Sequence, residues 1–439
     1  MAGKGDINKK SIQPSFHYNW LFVNFEQAIE KTNIITKLSS KEYSNEGVFP
    51  VVDQGANLIS GYVDDEKVLY KGNLPIVIFG DHTRNIKFID FPFAIGADGT
   101  KVLSPKKNIN IRFFYYYLKS LNIPDFGYSR HFAVLKELDF PIPPLAEQER
   151  IVTKLDTLFA QHEAIKQALE RIPQLLKDFR QQLLTQAVTG KLTKEWRNNS
   201  DFPLLKKIAE TPHRSWKFNL PEDWSIISFD QAAIIKSNLV NPNLYSNHIL
   251  IAPDNLEANT GKIINKPIVS EIKPISGKHL FQSGSIIYSK IRPYLNKLAI
   301  VDFSGLCSAD MYPILNSELT IIEFVFYYMM SNEFLNYSTT AGERSVLPKI
   351  NQKGLNEIPF PLPSLIEQRE IINRVESLFS KADKIEEKYK ALKAKVATLP
   401  QAILHKAFKG ELVEQLLTDG DAKDLLEEIK KLKTLSKMK

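Results

Sequence analysis

Apolar positions along this chain fall into two textures, and each texture occurs twice. From residue 20 to residue 138 they come as short runs. Residues 74–79 and 93–95 are the clearest predicted strands, and 49–52 is a weaker one because its proline belongs at a strand start or edge. Gly55, Gly61, Gly72, Gly80, Gly96 and Gly99 separate these runs as turns, and residues 112–120 form an aromatic helical stretch. The texture then changes. Ile151, Leu155, Leu158, His162, Ile165, Leu169, Ile172, Leu176, Phe179 and Leu183 alternate spacings of four and three, the seam of a coiled coil. Short runs return at 248–252, 285–288 and 298–301, with a helix at 323–330. A second seam follows at Ile371, Val375, Leu378, Ala382, Ile385, Tyr389, Leu392, Val396, Leu399 and Ile403.

The two halves are one unit written twice. Residues 140–148, Phe-Pro-Ile-Pro-Pro-Leu-Ala-Glu-Gln, return at 360–368 as Phe-Pro-Leu-Pro-Ser-Leu-Ile-Glu-Gln, an offset of 220 that holds without insertion to Leu192 and Leu412. Trp20 and Trp224 open similar segments at an offset of 204, so the second variable segment is 16 residues longer. A constant frame carries two different payloads.

The second long helix opens with a capping box, Ser364 and Glu367, in which each side chain satisfies the other residue's backbone N–H. The first has Pro144 there, suited to an early helical position. Gly190 and Gly410 predict the helix ends. Pro173 and Pro400, at non-equivalent positions, predict a kink or a split. His162 reads as a tolerated polar residue on the seam. Each seam needs a partner, and the nearest is the other copy. About 35 residues make a rod of about 50 Å; if a pseudo-twofold axis crosses it the pair is antiparallel, and the alternative is two separate helices, each packed on its own domain.

The net charge of +7 and pI of about 9.0 favour a polyanionic partner. One cysteine, Cys307, excludes a disulfide framework and a multi-cysteine zinc site, and fits a reducing cytoplasm. No signal-peptide pattern opens the chain and no apolar run is long enough to span a bilayer. The expected location is cytoplasmic, with no membrane.

Catalytic signatures are missing. Gly190-Lys191 is followed by Leu192 rather than Ser or Thr, and Thr185 stands where a phosphate loop needs glycine. Residues 142–145, Ile-Pro-Pro-Leu, lack the polar and aromatic members of an amino-methyltransferase motif. Asp254, Glu271 and Lys273 fit a loose nuclease pattern, but Pro274 follows at once and the first payload has no such set. The purposeful polar residues lie in payload loops. In the first these are His82, Thr83, Arg84 and Lys87, then Tyr128, Ser129 and Arg130. In the second they are Asn255, Asn259 and Lys262, then Lys290, Arg292, Tyr294, Asn296 and Lys297. Arg, Lys and Asn read base edges, while Lys, Ser, Thr and Tyr hold phosphates. These are candidate DNA-binding residues.

The paired Phe-Pro-x-Pro-x-Leu-x-Glu-Gln segments, each after a variable domain and before a long helix, resemble the specificity subunit of Type I restriction–modification systems. Residues 187–192 and 407–412 are similar to that family's helix-end segments. The resemblance covers nearly the whole chain. It implies an α+β fold: two mixed α/β target-recognition domains separated by two long antiparallel coiled-coil helices, in a pseudo-twofold internal repeat. The expected layout is a flexible arm at 1–15, target-recognition domain 1 at 16–143, the central conserved helix at 144–193 and a linker at 194–221. Target-recognition domain 2 follows at 222–363, the C-terminal conserved helix at 364–412 and a charged tail at 413–439. The resemblance further implies a non-catalytic chain that recognises a bipartite, asymmetric site on double-stranded DNA. It would dock two methyltransferase (M) subunits, and restriction (R) subunits in the full complex, with Leu145, Glu147, Gln148, Leu365, Glu367 and Gln368 as partner-binding residues. No cofactor or metal is expected in this chain; S-adenosylmethionine, ATP and Mg belong to the partner subunits. The rival classes are a stand-alone DNA nuclease and a coiled-coil scaffold that binds no DNA.

Overall fold

The computed structural model describes residues 20–32, 36–96, 99–127, 130–199, 219–340, 348–425 and 427. In it, the repeated Phe-Pro segment is a strand in both copies. Asp139–Ile142 pairs antiparallel with Leu21–Asn24, and Pro359–Leu362 pairs antiparallel with Ser225–Ser228. Each payload therefore enters and leaves through one two-stranded ribbon. A ribbon has free edges, which is where prolines are tolerated within a strand. The entering strand turns at once into a four-residue helix, Phe25–Ala28 or Phe229–Ala232. Asn24 caps the first by accepting from the Glu26 N–H, and Ser228 closes a capping box with Gln231 on the second.

Each payload is built on a four-stranded antiparallel sheet. The order is 29–30, 100–105, 76–80, 86–89 in the first and 233–235, 311–316, 286–289, 298–300 in the second. Ile76–Gly80 and Ile286–Ser289 are buried along their whole length, as their unbroken apolar runs require. The aromatic helices, Ile111–Ser120 and Ile322–Met330, each begin one residue earlier than predicted. They send large apolar side chains into each core: Phe113, Phe114 and Tyr117 in the first, Phe324, Val325 and Tyr328 in the second. Smaller sheets follow, with a parallel pair in each (Phe49–Val52 with Ala94–Ile95, Ile249–Ile251 with Gly305–Cys307). The second payload also has a helix, Asn332–Thr340, that packs Phe334 against Phe229, Tyr288 and Tyr328.

The chain forms two compact units. One runs to Glu170 and takes the chain up again from Ala391; the other is Arg171–Lys390. Each unit thus contains one payload, the start of one long helix and the end of the other. In the first, Ile151 and Leu155 share a core with Leu404, Ala407 and Phe408, and the Phe408 ring lies 5.2 Å from that of Phe113. In the second, Leu183, Ala187 and Val188 pack with Ile371, Ile372 and Val375. Start packs on end, so the helices of each unit run antiparallel. His162 Nε2 hydrogen-bonds to the Val396 carbonyl at 3.0 Å, and Arg180 bridges Asp383 and Glu386 at 2.7 and 3.0 Å.

Three helix expectations change. Each long helix, Leu145–Val188 and Leu365–Phe408, spans 44 residues rather than about 35. Pro173 and Pro400 lie inside these helices and split neither; each removes one backbone N–H from a helix of about twelve turns whose two ends are packed in hydrophobic cores. The seams are only partly covered. Leu155, Leu169, Leu176, Leu183, Ile371, Val375, Ala382 and Val396 are buried, but Ile165, Phe179, Ile385, Leu392 and Leu399 are 38–51% exposed. A pair of helices covers one narrow stripe, and residues flanking that stripe stay open.

Gly190 and Gly410 follow the helices with φ of +72° and +74°, as the helix-end reading requires. At Gly190 a Cβ would come within 2.4 Å of Pro221 Cγ and 3.2 Å of Trp224 Cζ2. Gly190→Ala is therefore expected to cost more than the ~1–2 kcal/mol of a left-handed alanine, read as a lower urea midpoint.

Residues 194–221 are not wholly a linker, because Lys194–Asn198 is a short helix; 200–218 lie outside the described residues. The arm at 1–15 and the lysines at 430–439 also lie outside them.

Candidate nucleic-acid interface

The repeated Glu-Gln pair is the joint that holds each payload to its helix. Glu147 accepts from the Trp20 indole at 3.1 Å and from Gln415 at 3.2 Å. Burial raises its carboxyl above the usual range, and the bonds from Gln415 and Trp20 oppose that. Glu367 accepts from the Trp224 indole at 2.9 Å, from Thr193 at 2.6 Å and from Arg197. The neighbouring glutamines fasten the aromatic helices. Gln148 accepts from the Asn110 N–H at 2.9 Å and donates to the Pro143 carbonyl at 3.0 Å. Gln368 accepts from the Ile321 N–H at 2.8 Å and donates to the Leu319 and Pro363 carbonyls.

This corrects two expectations. Glu147, Gln148, Glu367 and Gln368 are 0–2% exposed, so none of the four offers its side chain to a partner. Leu145 and Leu365 remain open, at 40% and 48%. The Ser364 box is half formed. Ser364 Oγ accepts from the Glu367 N–H at 3.2 Å, but the Glu367 carboxylate is engaged with Trp224 instead of returning to the backbone. A buried carboxylate gains more from an indole and a guanidinium than from one helix-end N–H.

In the first unit the candidate residues gather at the hairpin turn between Ile76–Gly80 and Ile86–Ile89. Gln54 organises it. Its side chain accepts from the His82 N–H at 3.1 Å, and its carbonyl accepts from Thr83 Oγ1 and Asn85 Nδ2. Arg84, at φ +62°, donates to the Ile123 carbonyl at 3.0 Å and pairs with Asp125 at 2.7 Å. The Asp81 carbonyl accepts from the His131 N–H at 2.8 Å, and its carboxylate accepts from the Phe132 N–H. The structure thus brings residues 81–85 against Ile123, Asp125, His131 and Phe132, 39 to 51 residues away in sequence. Thr83 and Arg130 are exposed and His82 is half-buried. Tyr128 and Ser129 lie outside the described residues. Lys87 is a correction: it is 6% exposed, donates to the Asn57 carbonyl at 2.5 Å and sits 3.8 Å from Asp53. Burial lowers its ammonium pKa, with Asp53 opposing. It faced inward because its strand alternates.

In the second unit the equivalent hairpin joins Ile286–Ser289 to Leu298–Ile300. Its loop rests on residues 253–262. The Asn259 N–H donates to the Leu295 carbonyl at 3.2 Å, and Lys297 Nζ donates to the Pro253 carbonyl at 2.8 Å. Arg292, Tyr294, Asn259 and Lys262 are exposed on these two loops. Four other candidates are spent on the fold. Asn255 accepts from the Ala252 N–H and donates to Asn265. Asn296, 2% exposed, donates to the Met329 carbonyl at 3.0 Å. Lys297 is held as above, 3.8 Å from Asp254. Lys290 lies 4.8 Å from the Tyr312 ring centre, and burial and Lys349 lower its pKa. Amide and ammonium groups at loop ends satisfy backbone carbonyls first, which local composition does not reveal. The nuclease pattern does not assemble either. Asp254 faces Lys297, while Glu271 accepts from the Ile268 N–H, and no group of three or more metal-binding side chains forms among the described residues.

Sequence reasoning missed a groove of about 610 Å³ in the first unit, lined by Lys31, Lys37, Lys101 and Lys136 with Glu26 and Glu30. Lys101 lies 3.5 Å from Asp81, beside the hairpin turn at 81–85. These lysines come from scattered segments, so no local run announced them. No helix among the described residues is long and apolar enough to cross a membrane.

Comparison with known proteins agrees with this architecture. Residues 19–174 and 235–394 match the family model described as Type I restriction modification DNA specificity domain. The chain is 46% identical to the Type I restriction enzyme EcoDI specificity subunit of Escherichia coli, over 67% of this chain and 69% of that one. It is 29% identical to the EcoBI specificity subunit of Escherichia coli, over 95% and 93%. The crystal structure of the HsdS subunit from Thermoanaerobacter tengcongensis shares the fold, with a TM-score of 0.59 at 16% identity over 90% of this chain and 98% of that one. With two matched domains on a duplicated frame, this chain belongs to the family of Type I restriction–modification DNA specificity subunits.

Proposed function

We propose that each unit reads one half of a split, asymmetric site on double-stranded DNA. In this reading the long helices dock two methyltransferase (M) subunits, and restriction (R) subunits join through them. The observation that carries it is the pair of equivalent hairpins. Both stand between the same two strands of the same four-stranded sheet, yet residues 81–85 and 290–297 present different side chains. A shared frame with unlike loops suits two unlike half-sites. The chain itself is proposed to be non-catalytic, with S-adenosylmethionine, ATP and Mg on its partners and the complex in the cytoplasm. Leu145 and Leu365, exposed at equivalent helix starts, are the candidate docking residues that remain.

Four measurements test this. Affinity purification from cells that carry the native system should bring down a methyltransferase subunit, and the complex should methylate one bipartite motif. A pure chain that transfers methyl groups or cuts DNA alone would refute the non-catalytic assignment. Arg130→Ala and Lys262→Ala, both exposed cations, should weaken DNA binding at all sequences and make the salt slope shallower by about one unit each. An unaltered slope in both would take these loops off the DNA.

A further inference from the structure

Among the described residues, five that are not glycine have positive φ: Arg84, Asn259, Lys273, Arg292 and Asn296. Arg84, Arg292 and Asn296 lie in the two equivalent hairpin turns, and Asn259 hydrogen-bonds to the second turn. Left-handed backbone favours glycine and, next, asparagine. An asparagine at 296 or 259 follows that preference. An arginine does not, so each hairpin keeps one for its side chain.

The two arginines differ in what the side chain does. In the first unit the Arg84 guanidinium is used inside the fold, on the Ile123 carbonyl and Asp125. In the second, Arg292 is exposed, and its guanidinium has no hydrogen-bond or ion-pair partner among the described residues. Its backbone is nonetheless held. The Arg292 N–H donates to the Pro348 carbonyl at 2.7 Å, and its carbonyl accepts from the Leu295 N–H at 2.9 Å. Pro293 follows and is buried. Asn296 bolts the far end of the loop to the Met329 carbonyl, and Ser289 Oγ donates to the Ile291 carbonyl at 3.1 Å. A fork of donors thus stands on a rigid, strained platform with no partner among the described residues. Guanidinium matches one base edge: it donates to both O6 and N7 of guanine in the major groove. Rigidity lowers the ordering cost of that contact.

We propose that Arg292 selects a guanine in the half-site read by the second unit. This rests on the reading of each unit as a half-site reader, and it predicts no such role for Arg84.

The test uses the assembled methyltransferase complex and duplexes carrying its wild-type methylated motif. Each guanine of the relevant half is replaced in turn by 7-deazaguanine, which lacks the N7 acceptor. The wild-type complex should lose about tenfold or more in affinity at one guanine. Arg292→Gly, which suits φ +48° and so preserves the loop, should lose this sensitivity and methylate a motif relaxed at that one position. Arg292→Lys keeps the charge without the fork and should relax the same position. Three outcomes overturn the proposal: unchanged discrimination in both variants, a uniform loss of affinity with a shallower salt slope (a phosphate contact), or a half-site without guanine. A wild-type complex that methylates no defined motif would instead overturn the half-site reading itself.

Discussion

Replacing residues 20–138 with the corresponding segment of another specificity subunit is expected to exchange one half of the methylated DNA motif completely and leave the other half untouched. The joint explains why the graft should fold. The payload enters and leaves by one antiparallel ribbon, 21–24 against 139–142, and is tied to its helix by the Trp20–Glu147 and Asn110–Gln148 bonds. An incoming segment that keeps a tryptophan at its start satisfies the same glutamate. The proposed reading residues, by contrast, sit in loops whose side chains differ between units. Methylome sequencing of cells carrying the graft is the measurement. A change in both halves would mean that the units do not read independently.

Glu367→Ala is expected to destabilise the protein by about 3–5 kcal/mol, against about 1–3 kcal/mol for Glu147→Ala. The two glutamates occupy equivalent places in the repeat, but their partners differ in charge. Glu147 meets two neutral donors, an indole and an amide. Glu367 meets an indole, a hydroxyl and the Arg197 guanidinium, with its own side chain 3% and that of Arg197 17% exposed. Removing Glu367 leaves a cation in a poorly hydrated place; Asp223, 3.8 Å from Arg197, compensates only in part. Urea denaturation of both variants gives the comparison. Equal midpoints for the two would show that the guanidinium contributes nothing to the joint.

The first unit has a related lock with a different location. Arg150 grips both oxygens of Asp419 at 2.6 Å, and this lowers the Asp419 carboxyl below its usual range. A carboxyl whose folded value is lowered gives its stability above the unfolded pKa and loses it as pH falls through the folded one. This contact is therefore a feature of neutral pH that weakens in acid. The segment after each long helix thus returns to the helix start in its own unit: Gln415 and Asp419 in one, Thr193 and Arg197 in the other.

The chain's own pattern determined the duplication, the two long helices, the glycine helix ends and three strand runs in each payload, but not others such as Thr100–Pro105 and Met311–Asn316. These signals are local: seam spacing follows the helical turn, a strand at a sheet's centre must be apolar throughout, and only glycine fits φ near +72° without strain. Family membership was legible for the same reason, because the repeated motif is short, contiguous and kept in register. What the motif does was not legible. Glu147 and Gln148 look like solvent-facing polar residues in sequence, and only the fold shows them buried against Trp20 and Asn110. The exposure of the candidate DNA-binding residues was half legible. Arg292, Tyr294, Asn259 and Lys262 stay exposed, whereas Lys87, Asn255, Lys290, Asn296 and Lys297 serve the fold. Composition identifies a donor, but whether a backbone carbonyl lies within 3 Å of it depends on segments far away in sequence. The direction of the helix pair was open for the same reason, since an apolar seam attracts a partner of either polarity. It was decided by Phe408 reaching Phe113 in one unit and by Val188 packing with Ile371 in the other.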